Sequence, residues 1–299
     1  MKGEYTRRDF LAAAAAAGAT VILPKTGLAD AELLTIQDVI DLIVQSVPGA
    51  PLEQTVDTFK AGDPSRPVTG IASTFLATID VIKKAAELGA NLIITHEPTY
   101  YNHLDEMEWL AQDKIYLEKR RLLDELGIAV WRFHDYWHLY EPDGMLAGLL
   151  KKLEWERYPV SDRDNLPSIV RLVPPRPLAE VANHFKEKLG INRPVQIIGD
   201  PEMTVRTVGL LPGAYGGTMQ IDFLGRAWSD VLVVGEINEW ETAIYVQDAI
   251  STGKETSLLI LGHAVSEEPG MELLVDWLQP KLTGIPVHHV PTKDPFVLI

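Results

Sequence analysis

The sequence predicts an α/β protein with two α/β lobes and mainly parallel sheets, the middle lobe being inserted into the first. Short apolar runs such as "ANLIIT" and "IAVWRF" have the length and composition of buried strands. They alternate with helical segments such as "IDVIKKAAELG", which Thr78 can cap and Gly89 can end. Repeated strand-then-helix order is typical of parallel sheets that are covered by helices.

The alternation continues from about residue 165, which indicates a second group of strands and helices. Its strands are expected at "SIVRLV", "PVQIIG", "VRTVGLL", "SDVLVVGE" and "SLLILGH". The polar, proline-rich stretch "SDRDNLPSIVRLVPPRP" is the best candidate for a junction. We therefore expect a first lobe of residues 32–165 plus 255–299 and an inserted lobe of residues 166–254. The glycine-rich "GLLPGAYGG" lacks the lysine of a P-loop and is interpreted as a tight turn.

Composition excludes several classes of function. The 299 residues carry a formal net charge of −15, which argues against nucleic acid or an anionic membrane surface as the main partner. Cysteine is absent, so the chain can form no disulfide, no thiolate metal site and no cysteine nucleophile. Any transition metal must therefore be held by His, Asp and Glu side chains.

The first residues have the features of a twin-arginine export signal. Arg7 and Arg8 precede an apolar stretch, and Ala29-Asp30-Ala31 supplies a cleavage site of the A-x-A type. The apolar run is shorter than the roughly 20 residues that span a bilayer. We predict a signal peptide of residues 1–31, no stable membrane insertion after its removal, and a mature protein that is periplasmic or otherwise exported.

Three of the eight histidines directly follow predicted buried strands. These are His96 after "LIIT", His134 after "VWRF" and His263 after "LLILG". In open α/β sheets, ligands bind beyond the carboxyl ends of the strands. The three histidines are therefore candidates for one shared site, although a single histidine at a strand end more often only forms hydrogen bonds in a loop.

Each of these histidines has another coordinating side chain nearby in the sequence. Imidazoles and carboxylates together suit zinc, manganese or iron, and two such ions are a recurring hydrolytic device. A zinc-protease helix is a poor interpretation of "HDYWH", because that motif needs a Glu where Asp135 stands. His103 could guard the pocket, although an exposed loop residue is favoured, and His184 is expected to face solvent on a helix. The candidate metal ligands are His96, Glu97, His134, His138, His263 and Glu267.

This set resembles the Nif-three-like dinuclear metal-centre family, also described as GTP cyclohydrolase type-two-like proteins. The resemblance covers roughly residues 34–298 and is strongest at "GANLIITHEP", "GIAVWRFHDYWH", "DVLVVGE" and "LLILGHAVSE". It implies that His96, His263 and Glu267 occupy ligand positions. Glu97 stands where the family usually has a second histidine, and His138 stands where it has an aspartate.

The resemblance also implies a role for the remaining candidates. His134 would be a direct ligand or a close neighbour of one. Separately from the resemblance, Glu236 is another acid at a strand end, which could orient a ligand or the substrate or could equally be an ordinary structural residue of a turn. The two catalytic candidates are Glu267, as a bridging carboxylate, and Glu97, which could bridge, bind one ion or act as general base.

The expected function is that of an exported, metal-dependent hydrolase. It would hold one or two divalent transition-metal ions and use a metal-activated water on an amide, cyclic-amidine or phosphoester bond of a small molecule. The alternative is a non-catalytic metal-binding protein for storage or assembly. Family resemblance further implies a ring-like homo-oligomer, commonly a hexamer.

Overall fold

The structure is a computed structural model that describes residues 33–158, 160–161 and 169–296. The predicted signal peptide lies outside these residues. The chain forms two compact units, and each is described by itself. The first unit comprises the chain up to Gly144 together with Met271–Lys293, and the second comprises Met145–Gly270 and Asp294–Ile299. In sequence, the second unit therefore interrupts the first.

The α-helices and β-strands of the described residues follow one another in an α/β order. They are α1 (Ile36–Gln45), β1 (Phe59–Ala61), β2 (Ile71–Thr74), α2 (Ile79–Glu87), β3 (Leu92–Thr95), α3 (Lys114–Leu126), β4 (Ala129–Arg132), α4 (Asp135–Leu139), α5 (Gly144–Lys152), β5 (Val160–Ser161), β6 (Ile169–Pro177), α6 (Leu178–Lys188), β7 (Gln196–Ile198), β8 (Thr204–Leu211), α7 (Gly217–Gly225), β9 (Val231–Val234), α8 (Ile244–Ser251), β10 (Ser257–Ile260), α9 (His263–Leu278) and β11 (Val287–His289).

The first unit contains a five-stranded sheet in the order β1-β4-β3-β2-β11. Strands β4, β3, β2 and β11 are parallel, and β1 is antiparallel to β4 at one edge. Thr95 at the end of β3 pairs with Thr74 of β2 and with Arg132 of β4. Because these three strands end at the same level, the residues that follow β3 and β4 lie at one edge of the sheet.

Helices α2 and α3 cover this sheet because their apolar side chains recur at helical spacing. Val81, Ile82 and Ala85 of α2 form one buried cluster with Leu123 of α3 and Val130 of β4. The predicted cap is confirmed, since the Thr78 hydroxyl accepts a hydrogen bond from the Val81 amide at 3.2 Å. The two helices thus pack against the sheet in one core, and the carboxyl edge of the sheet lies beyond the ends of the strands.

The second unit contains a six-stranded sheet in the order β5-β6-β8-β9-β10-β7. Strands β8, β9 and β10 are parallel in its centre, whereas the pairs β5/β6, β6/β8 and β10/β7 are antiparallel. The nine-residue β6 has exposed and buried positions in near alternation at its start, as is usual for antiparallel strands with one face in solvent. The α/β class is confirmed, but parallel strands dominate only in the first sheet.

The bounds of the two units differ from those of the expected lobes. Strand β10, expected in the first lobe, pairs with β9 and β7 in the second sheet. Leu149 of α5 likewise packs into the core of the second unit, with Val181 and Phe185 of α6. Apolar burial, rather than the polar stretch before residue 177, thus sets the junctions. None of the helices within the described ranges combines the length and the apolarity that crossing a bilayer requires.

Candidate metal centre

Three of the predicted ligands, His96, His134 and His138, come together in the first unit. Their ring centroids are 4.6 Å apart for His96 and His134, 5.1 Å for His96 and His138, and 4.9 Å for His134 and His138. Each ring offers one nitrogen, and these nitrogens all lie within 4.8 Å of one another. We call these three residues the histidine cluster.

The parallel sheet and one short helix position the cluster. His96 directly follows β3, and His134 follows β4 after one further residue, so both lie at the carboxyl edge of the sheet. Helix α4 begins at Asp135 and places His138 one turn beyond His134, because residues four apart share a helix face. The prediction that strand ends would gather histidines is therefore correct for this unit.

In each ring of the cluster, the Nδ1 atom already has a partner. A carbonyl or carboxylate oxygen can only accept, so each Nδ1 donates, and a neutral ring then carries its lone pair on Nε2. This arrangement orients metal-binding histidines in many proteins. The partners are the Phe133 carbonyl for His96 at 3.2 Å, Asp135 Oδ1 for His134 at 2.8 Å and Asp143 Oδ2 for His138 at 2.8 Å.

Burial keeps two of these imidazoles neutral. It lowers the pKa of His96 well below its usual value, and the neighbouring His138 and His134 lower it further. Burial, followed by the proximity of His138, lowers the pKa of His134 to about 4. A neutral imidazole can bind a cation without first losing a proton. The three imidazoles therefore fit a borderline divalent ion such as zinc or iron, whereas manganese would rely more on carboxylate oxygens.

Asp57 fixes the start of α4 and was missed by sequence reasoning. Its buried carboxylate accepts hydrogen bonds from the amides of His134 at 2.7 Å, Asp135 at 3.0 Å and Tyr136 at 2.8 Å. Burial nevertheless raises the pKa of Asp57 to about 6. Because Asp57 lies nearly 80 residues before the helix that it caps, no local motif could reveal it.

Glu97 lies at the margin of the histidine cluster and is paired with a buried cation. Its Oε1 is 3.8 Å from His134 Nε2, and its Oε2 is 3.3 Å from a guanidinium nitrogen of Arg132. The Glu97 side chain is 13% exposed, whereas that of Arg132 is fully buried. Arg132 was overlooked in the sequence, although a charged residue inside the apolar run "IAVWRF" is itself a signal, since buried charges need partners.

His103 is also close to the cluster. Its ring lies 5.7 Å from that of His134, edge to face, and the residue is exposed as expected. The cluster thus has an exposed imidazole on one side.

Two further cations hold the segment between β3 and α3. Lys119 of α3 is 4% exposed, and its ammonium donates a hydrogen bond to the Thr99 carbonyl at 2.6 Å. Lys60 of β1 forms a buried ion pair with Asp105 at 3.1 Å, and Asp105 also accepts a hydrogen bond from the Tyr100 amide at 2.7 Å. The segment that carries Glu97 and His103 is therefore anchored, although it has little regular structure.

The buried Lys119 predicts a specific dependence of stability on pH. Burial lowers the pKa of Lys119 from its ordinary value of 10.5 to about 8. The unfolded chain therefore holds this proton more tightly, so the lysine's contribution to stability rises between pH 8 and 10.5 and is lost as the pH falls through 8. We expect wild type to gain about 2 kcal/mol over Lys119→Met between pH 7.5 and 10, measured by urea unfolding. A constant difference between the two proteins would contradict this.

The second unit holds its own group of predicted residues at the start of α9. His263 and Glu267 are one helical turn apart, with His263 Nε2 2.9 Å from Glu267 Oε2. Glu236, which follows β9, places its Oε2 3.6 Å from His263 Nδ1. The Ser266 hydroxyl donates to the His263 carbonyl at 2.8 Å and accepts from the Gly213 amide at 2.9 Å. The residues after β8 and β9 and the first turn of α9 thus surround the pair His263 and Glu267.

A substitution at Gly213 tests the role of Glu267, and Gly216 offers a matched control. A Cβ atom at Gly213 would lie 2.2 Å from Glu267 Oε1, whereas one at Gly216 would meet nothing within 4 Å. Both glycines have positive φ, +81° and +77°, so alanine is strained at both. If Glu267 is a metal ligand, as the family resemblance implies, Gly213→Ala should weaken metal binding about tenfold or more by displacing Glu267, and Gly216→Ala should leave it unchanged. Equal affinities, measured by competition with a chelator, would contradict this role for Glu267.

His184 differs from its expected position on a solvent-facing surface. Its ring stacks on Trp155 with an interplanar angle of 8°, and its Nε2 is 2.9 Å from the Leu153 carbonyl. The residue is half-buried because the flat imidazole extends the apolar core around Trp155. It belongs to the packing of the second unit.

The fold and the histidine cluster together define an α/β protein with a candidate metal centre. The chain belongs to the Duf34/NIF3 (NGG1p interacting factor 3) family, whose model matches residues 35–295. A twin-arginine translocation signal sequence matches residues 4–24, so the chain carries a signal for export by that pathway. The predicted resemblance and the predicted export are both confirmed.

Individual known proteins are similar to this chain over most of its length. A GTP cyclohydrolase 1 type 2 homolog of Clostridium perfringens is 24% identical over 278 residues, which cover 89% of this chain and all of the relative. The solved structure of a Bacillus cereus protein related to NIF3 superposes with a TM-score of 0.71 at 17% identity, covering 90% of this chain and all of the other. A Staphylococcus aureus hypothetical protein gives 0.70 at 19% identity, with the same two coverages. These structures establish the fold.

Proposed function

We propose that the protein is an exported, metal-dependent hydrolase with a dinuclear metal centre, acting in the periplasm on a small molecule. The observation that carries the proposal is the histidine cluster, three imidazoles whose Nδ1 atoms are each held by an oxygen. Side chains oriented in this way are typical of metal sites. Two of the rings also have pKa values that keep them neutral near pH 7.

We propose the following roles for individual residues. His96, His134 and His138 would hold a divalent ion, and His263, Glu267 and Glu97 are proposed as further ligands. A divalent ion supplies Lewis acidity, which makes water a competent nucleophile near neutral pH. Glu97, fixed by Arg132 and 3.8 Å from His134, would bridge two ions, bind one ion or, if it is not a ligand, act as general base, and Glu267 is the proposed bridging carboxylate.

Export favours one group of substrates over another. The name of the Clostridium perfringens relative refers to a cyclohydrolase, which is an enzyme that opens a ring by hydrolysis. A protein carried out of the cytoplasm is separated from cytosolic GTP, so a GTP substrate is disfavoured. Amides, cyclic amidines and phosphoesters that occur outside the cytoplasm are the substrates that we propose. A ring-like homo-oligomer, commonly a hexamer in proteins of this kind, is part of the same proposal.

A second function is a non-catalytic one, in which the protein stores or delivers metal. The pairing of Glu97 with the buried Arg132 favours it, because a carboxylate held by a guanidinium is a weaker base. Both functions need bound metal, so metal content alone does not separate them.

Turnover separates the two functions. The protein would be stripped with a chelator, reloaded with zinc, manganese or iron, and assayed against a panel of amides, cyclic amidines and phosphoesters. The hydrolase proposal expects turnover only after reloading, and a loss of about 100-fold or more in Glu97→Gln and Glu267→Gln. Glu154→Gln is the control, since Glu154 pairs with Lys188 on the surface of the second unit. Stoichiometric metal without turnover would support the storage function instead.

A further inference from the structure

Arg132 has an unusual set of acceptors for a residue at the end of a strand. Its guanidinium is fully buried and donates to the His96 carbonyl from Nε at 3.0 Å. It donates to the His103 carbonyl from Nη1 and lies 3.3 Å from Glu97 Oε2 through Nη2. The Arg132 side chain therefore contacts His96, Glu97 and His103. All three belong to the segment that follows β3.

These contacts matter because the segment between β3 and α3 is long and largely irregular. Its one helical piece is the single 3₁₀ turn at Glu108–Leu110. Lys119 and Lys60 fix its middle part, through Thr99 and Asp105. Arg132 fixes the two residues of the segment that approach the histidine cluster, Glu97 and His103.

The geometry of the guanidinium suits this task. An arginine presents five donors in a rigid plane, so it can bind three acceptors in fixed relative positions. A lysine at this position would provide a single point charge with no fixed plane. The arrangement therefore depends on the shape of the arginine side chain as well as on its charge.

We propose that Arg132 is a positioning residue that holds the Glu97 carboxylate and the His103 imidazole beside the histidine cluster. It sets the place of two groups that a molecule bound at the centre would meet. Arg132 does this without contacting that molecule, since its side chain is fully buried. The inference rests on the proposed function insofar as Glu97 belongs to the metal centre.

A double-mutant cycle with cobalt as the probe tests the proposal. The proteins are wild type, Arg132→Met, Glu97→Gln and the double variant, each loaded with Co²⁺ and examined for its visible spectrum and for Co²⁺ affinity. If Arg132 acts through Glu97, each single variant loses about tenfold in affinity and the double variant loses no more than Glu97→Gln alone. Losses that multiply to about 100-fold would overturn the proposal.

Two controls separate positioning from a general effect on the fold. Arg66→Met also removes a hydrogen bond from a guanidinium to a main-chain carbonyl, in this case that of Gly127. Gly127 lies before β4, away from the residues that follow the strand. This variant should leave the cobalt spectrum unchanged. Arg132→Lys keeps the buried charge and should fail to restore the spectrum. If Arg132→Met does not fold, Arg132→Lys takes its place in the cycle, and wild-type behaviour of Arg132→Lys would contradict the proposal.

A metal-free readout distinguishes failure of this inference from failure of the proposed function. The ¹⁵N-labelled imidazole signals of His103 and His134 should shift in metal-free Arg132→Met and not in Arg66→Met. If the wild type binds no cobalt but the imidazole signals still shift in Arg132→Met, the metal centre is refuted and the positioning role is supported. Unchanged imidazole signals in Arg132→Met would refute the positioning role, whatever the metal content.

Discussion

Replacing His134 by alanine is expected to weaken the binding of a divalent ion by more than about 100-fold. The ring of His134 lies between those of His96 and His103, and its Nδ1 is fixed by Asp135 at 2.8 Å. Loss of an outer partner of a ligand commonly costs about 10–100-fold in affinity, and loss of the ligand itself costs more. Titration of the metal-free protein with Zn²⁺ against a competing chelator measures the change.

His184→Ala is the matched control for this substitution. His184 is also a half-buried histidine that stacks on an aromatic ring, but it belongs to the core around Trp155. Its replacement should reduce stability slightly and leave zinc affinity unchanged. A loss of affinity as large as that of His134→Ala would mean that the effect arises from folding, and equal affinity of His134→Ala and wild type would remove His134 from the centre.

Asp57→Ala is expected to lower the free energy of unfolding by about 3 kcal/mol or more. The substitution leaves the half-buried amides of His134 and Asp135 and the buried amide of Tyr136 without their acceptor, and a buried unsatisfied group costs about 1–3 kcal/mol. Because these amides begin the helix that carries His138, zinc affinity should fall as well. Urea unfolding and zinc titration of the same variant measure the two effects.

Asp38→Ala provides the comparison for an ordinary helix cap. Asp38 forms a capping box with Thr35 at the start of α1, and loss of such a cap costs about 1 kcal/mol. It should leave zinc affinity unchanged. If Asp57→Ala were no more destabilising than Asp38→Ala, the three hydrogen bonds to Asp57 would contribute no more to stability than an ordinary helix cap.

Local sequence patterns were sufficient to predict which histidines lie together at the sheet edge and insufficient to predict what holds them. His96 and His134 were predicted because each follows an apolar run of strand length, and His138 because it lies four residues beyond His134. Asp57 and Arg132 were not predicted, because their partners lie far away in the sequence. Contacts of that kind depend on tertiary packing, which no local period or motif records.

The second sheet illustrates the same limit for the fold. The segment "PVQIIG" was correctly expected to be a strand, yet β7 runs antiparallel to β10 at the sheet edge. Strand composition does not reveal strand direction, which depends on the path of the connecting chain. The proline-rich stretch expected as a junction contains β6, which pairs with β8 on both sides of an irregularity between Arg171 and Arg176.

The most direct measurement is the metal content of the mature protein, analysed by elemental mass spectrometry without added metal. The proposed centre predicts one or two ions of zinc, manganese or iron per chain, and none in a variant with alanine at His96, His134 and His138. A wild type that remains free of metal after soaking in all three ions, or a triple variant that retains them, would contradict the assignment of the histidine cluster as a metal centre.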